Sequence, residues 1–121
     1  MTRVLALLLV ATALAAAANL SGKWAGKTHM SVDGRIEEDT IFFTLKEKNG
    51  EVTGTAGPIR EHQGPIRNGR FDGTRLTFEL PVPNGVFQFD VNLEGDHLKG
   101  KLLAIAQGQT FKATVELSRG K

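Results

Sequence analysis

The chain has 121 residues, with 15 Lys and Arg against 13 Asp and Glu, a formal net charge of +2, and no cysteine. That near balance leaves no electrostatic footprint for nucleic acid or an anionic membrane. The missing cysteines exclude disulfides, thiolate metal sites and a lipid anchor on a lipobox thiol, so one apolar core must hold the fold.

Residues 1–18, MTRVLALLLVATALAAAA, read as a segment to be removed. One cation, Arg3, precedes an unbroken run of Leu, Val and Ala, and Ala16 and Ala18 are placed for cleavage before Asn19. Charge, length and small-residue ending are those of a secretory signal peptide. The run is also shorter than the roughly 20 residues that span a bilayer. The expectation is a periplasmic or extracellular product, free of the membrane after cleavage. Residues 19–121 then carry 14 cations against 13 acids and form a single domain.

From Asn19 onward, strands and turns alternate. LSGKWAG, residues 20–26, holds the only tryptophan, Trp24. TIFFTLK puts Ile41, Phe43 and Leu45 on one face and Thr40, Thr44 and Lys46 on the other. RLTFEL does the same with Leu76, Phe78 and Leu80, and GVFQFDVNLEG with Phe87, Phe89, Val91 and Leu93. TFKATVELSR follows with Phe111, Ala113, Val115 and Leu117. Period-2 patterns place one face in a core and the other in water. The turn dipeptides are Asp33-Gly34, Asn49-Gly50, Asp72-Gly73 and Asn84-Gly85, joined by EGD at 94–96 and QGQ at 107–109. A Gly/Pro-rich connection over 57–65 makes the seventh reversal.

Seven reversals give eight strands. The predicted fold is all-β: an eight-stranded antiparallel up-and-down barrel, with an open sandwich as its competitor. The repeats NGEVTGT, NGRFDGT and EGDHLKGK set a second glycine after each turn. Gly54, Gly73 and Gly100, with Gly22 and Gly26 around Trp24, are expected to be structural, at bends or close backbone approaches. Trp24 is expected to plug one end of the barrel, over an interior filled by Ile41, Phe43, Leu76, Phe78, Phe87, Phe89 and Phe111.

The Gly22-x-Trp24 start and the later GEVTGT resemble the avidin and streptavidin family, and more widely the calycin group with its lipocalins. The resemblance implies a barrel but no biotin site. Gly26 stands where the family's ureido-binding asparagine falls, and no later tryptophans or tyrosines are present. Nearly the whole of 19–121 also resembles small exported bacterial calycin-like barrel domains with a leading Gly-x-Trp-x-Gly. That second likeness carries no established chemistry.

The residues argue against an enzyme. His29, His62 and His97 lack metal-ligand spacing, and no serine lies in a nucleophile elbow. No catalytic residue, metal site or cofactor is expected. GPIREHQGPIRNG, residues 57–69, repeats GPIR and sets Arg60, His62 and Arg67 in one stretch. It reads either as a solvated connection or as a loop that offers these three to an anionic partner. The function expected is therefore an exported binding or interaction module for a small molecule or a secreted protein. An inhibitor of secreted hydrolases is the alternative, with the segment before Trp24 entering the target cleft. Intact-mass analysis of the exported protein is expected to show loss of residues 1–18; a full-length product in the membrane fraction would overturn the leader.

Overall fold

A computed structural model describes residues 19–120, so the leader at 1–18 lies outside the described residues. Nine strands follow in order: β1 Gly22–Val32, β2 Arg35–Lys48, β3 Glu51–Ile59, β4 His62–Pro65, β5 Arg67–Phe71, β6 Arg75–Val82, β7 Gly85–Glu94, β8 His97–Ala106 and β9 Gln109–Arg119. All neighbouring pairs are antiparallel. β1 pairs with both β2 and β9, and β2 also pairs with β3, so the sheet closes on itself. β4 and β5 share one position: β4 pairs the C-terminal half of β3 and β5 its N-terminal half. The result is the expected closed eight-strand up-and-down barrel.

Most turns form where the dipeptides placed them. Asp33-Gly34, Asn49-Gly50 and Gln107-Gly108 have positive φ at both central residues, the type I′ pattern that matches strand twist. One turn shifts by a residue. Pro83 and Asn84 occupy the bend between β6 and β7, and Gly85 already belongs to β7. Proline's fixed negative φ followed by Asn84 at +63° is the φ pattern of a type II turn.

The 57–65 stretch differs more. It is not a long connection: β3 runs to Ile59, the chain reverses over Arg60 and Glu61, and β4 begins at His62. Pro58 and Pro65 lie at irregular strand ends, where a missing N–H breaks no continuous ladder. Asn68, expected within a turn, sits inside β5 at φ +56°, where the register slips between Arg67 and Arg70. This is a bulge.

Two glycines show why the wall needs gaps in its side chains. A Cβ at Gly26 would collide with the Glu116 carbonyl, and one at Gly100 with the Asp90 carbonyl. Neighbouring backbones approach there too closely for any other residue.

The core is built from the even-numbered positions of β1 and β6 and the matching faces of the other strands. Phe43, Phe78 and Phe89 meet at its centre, with Phe43 edge-on to both at 5.0 and 5.3 Å and the other two stacked at 4.8 Å. Phe111, expected inside, lies at the rim and is 37% exposed.

Trp24 closes one end and is fully buried. Its indole Nε1 donates to the Leu20 carbonyl at 2.9 Å. The Arg119 guanidinium lies 4.3 Å from the Trp24 ring centroid. The same guanidinium donates to the Ser21 and Asn19 carbonyls at 3.1 and 3.0 Å. Leu20 is folded beneath this arrangement with no exposed surface. Trp24→Ala is expected to cost about 3–5 kcal/mol in chemical denaturation. A loss under about 1 kcal/mol would contradict its packing role.

Candidate functional site

The two poles of the barrel are unlike. Trp24 seals one. At the other, the β1–β9 register stops at Met30↔Ala113 and the β2–β3 register begins only at Phe42↔Gly57. The hairpin around Asp33-Gly34 therefore continues as a two-stranded ribbon past its neighbours, exposed throughout 33–40. The exposed large hydrophobics, Ile36, Ile59 and Phe111, belong to this pole.

Most residues lining one sizeable concavity face outward from the barrel. An open cleft of about 800 Å³ lies on the wall, lined by outward-facing His29, Ser31 and Ile36 of the β1–β2 hairpin, Lys112 and Thr114 of β9, and Lys101 and Leu103 of β8, with the buried Phe78, Phe89, Leu102 and Ala113 also contributing to its lining. Register explains why they meet. Ile36 opposes Ser31, His29 opposes Thr114, Thr114 opposes Lys101 and Lys112 opposes Leu103. Paired residues share a face, so these form one band across the sheet. The band continues through Gln88 and Asp90 to Glu79 and Thr77, and Asn68 marks its far end.

The acids bordering the cleft are all paired. Arg75 grips Asp90 with two bonds, Nε to Oδ1 at 2.7 Å and Nη2 to Oδ2 at 2.6 Å, and holds its carboxyl below the usual range. Glu79 is lowered first by Arg67 at 3.0 Å and then by Asn68. Glu38 is lowered by Lys27 at 3.1 Å and by His29 at 2.7 Å.

The three residues expected at a site in the 57–69 stretch do not converge. Arg60 turns back over the Phe42 ring of β2, 4.7 Å from its centroid. Arg67 reaches the other way, to Glu79 of β6. His62 pairs with Ile59 across the turn. The segment before Trp24, offered as an inhibitory tip, is folded under Arg119. Among the described residues, no group of three or more His, Asp or Glu side chains is placed to hold a metal ion. His97 Nδ1 and Ser118 Oγ stand 3.2 Å apart, but on an exposed surface outside the cleft.

Reading the sequence missed Lys101, Leu103 and Lys112. A signal was present in KLLAIA, where Leu103 and Ile105 break alternation by putting apolar side chains on the outer face beside Val86.

No family model matches this chain, and no curated protein does. It is similar to a solved structure, the crystal structure of Rv2717c from M. tuberculosis, at 17% identity. The match has a TM-score of 0.51 and covers 91% of this chain and 96% of that one. At that identity the likeness supports the barrel fold alone.

The lowered carboxyls set an acid limit. A carboxyl depressed in the folded state stabilises above its unfolded pKa, and that contribution disappears as pH falls through the depressed value. Urea midpoints should therefore hold from pH 7 to about 5 and drop below the ordinary carboxylate range of about 4. Arg75→Ala, which releases Asp90, should show a smaller drop between pH 5 and 3 than the native chain; an equal drop would contradict the pairing.

Proposed function

We propose that this protein is an exported binding module that engages its partner on the outside of its barrel, in the cleft beside the β1–β2 ribbon. One observation carries the reading. The barrel's centre is packed with Trp24 and the Phe43, Phe78 and Phe89 cluster, while a cleft of about 800 Å³, lined mostly by outward-facing residues with Phe78 and Phe89 also among its lining, opens on the wall. That volume is within the range of roughly 300–1,000 Å³ typical of small-molecule sites. Export rests on the leader at residues 1–18. The calycin-like likeness adds only the habit of placing binding surfaces on a rigid barrel.

Inhibition of secreted hydrolases is a second reading. It draws support from the ribbon, whose exposed Ile36 at 68% could enter a target cleft.

A neutral apolar dye, Nile red, tests the first reading without presuming a charged ligand. Saturable one-to-one binding is expected, weakened about tenfold or more by Leu103→Glu, which places a charge on an apolar part of the cleft lining. Phe111→Ser at the rim should leave binding unchanged. Absence of saturable binding by the native protein, or loss only in the rim variant, would overturn the cleft as the site.

A further inference from the structure

Most of the surface lining the cleft is apolar, but its charge is uneven. Glu38, Glu79 and Asp90 on its border each have an arginine, lysine or histidine partner. Lys101 and Lys112 differ. Among the described residues, neither has a carboxylate at ion-pair distance. Lys101 does lie across from Asp90, whose charge Arg75 already holds in two bonds.

The register places the two lysines together. Lys101 opposes Thr114 and Lys112 opposes Leu103, so they sit diagonally across β8 and β9, roughly 7–8 Å apart at the backbone. Two lysine side chains from that spacing can converge on one anionic group. His29, opposite Thr114, borders the same spot, though its Nε2 is engaged by Glu38. Beside the lysines the surface turns apolar. Leu103 is half-buried on the outer face, and Val86 and Ile105 continue the strip on the next register pair.

A pair of unpaired cations at the edge of an apolar strip is complementary to a ligand with an anionic head and a hydrocarbon tail. Resting on the module reading above, we propose that the cleft binds a single-chain anionic amphiphile, its carboxylate at Lys101 and Lys112 and its tail across Leu103. The head gains charge-assisted hydrogen bonds, and the tail removes apolar surface from water on both sides. The cleft is bounded by the projecting ribbon, a concave shape that fits one chain better than a flat bilayer.

Titration calorimetry with monomeric dodecanoate, dodecanol and acetate separates the contributions of head and tail. Dodecanoate is expected to bind saturably, with affinity that falls as salt rises. Dodecanol and acetate should each bind the native protein about tenfold more weakly or worse. Lys101→Ala with Lys112→Ala should weaken dodecanoate about tenfold or more and leave dodecanol unchanged. Cooperative urea unfolding of the double variant, matched to the native chain, shows that the fold is kept.

Equal affinity for dodecanoate and dodecanol would overturn the proposal, as would a double variant that binds dodecanoate normally. Binding to anionic vesicles with none to monomeric dodecanoate would overturn it in favour of a membrane surface. If Nile red binds in a Leu103-dependent way while dodecanoate shows no charge dependence, the amphiphile falls and the module reading stands. If neither ligand binds, both readings fall.

Discussion

Arg119 stacked on Trp24 is the contact on which the rest of the barrel depends. A chain without cysteine must close its sheet by packing and hydrogen bonding alone. One guanidinium here covers the indole, donates to the carbonyls of Asn19 and Ser21, and donates to the Asp96 carboxylate at 3.2 Å. It therefore ties the last strand to the residues before the first. Glu47 adds a second tie, with its carboxylate accepting the Leu20 N–H at 3.3 Å and its own N–H donating to Ser21 Oγ at 2.9 Å. With that pole sealed, the β1–β9 seam is held at one end and the apolar faces of the strands point into one buried core. Arginine suits the position because its planar group can stack and donate in several directions at once, which lysine cannot do.

Sealing by side chains has a cost for function: it uses the interior. Three phenylalanines at the centre and a tryptophan at the end occupy the space that a wider barrel would leave for a ligand. Variation in the wall is then the remaining source of concavity. The ribbon at residues 33–40 provides it by outrunning its neighbours, since β9 stops pairing at Ala113 and β3 at Gly57. A rigid filled barrel with one projecting hairpin holds a surface cleft in shape without having to open.

Alternation and turn chemistry made the barrel legible before any coordinates. Phe43 of β2, Phe78 of β6, and Phe87 and Phe89 of β7 fall on the inward face of their strands, and Asn-Gly and Asp-Gly mark the hairpins. The same rules misread 57–69, where Gly and Pro mark strand ends and a bulge as readily as a loop. Arg119 was invisible because its carbonyl partner Asn19 lies 100 residues away along the chain. The cleft was hidden for a similar reason. Its band crosses several strands, and only the register shows that Lys112, Leu103 and Gln88 are neighbours. Ion pairs such as Arg67–Glu79 and Arg75–Asp90 likewise depend on which strands lie side by side.

The Gly120 N–H donates to the Lys23 carbonyl at 2.6 Å, so both ends of the described chain leave from the sealed pole. Asn19 and Gly120 both lie on the side away from the ribbon. The domain can thus be mounted by either end like a lamp on its bracket, and its projecting hairpin still faces outward. Tags and tethers for surface immobilisation are interchangeable between the two ends, and neither orientation hides the ribbon.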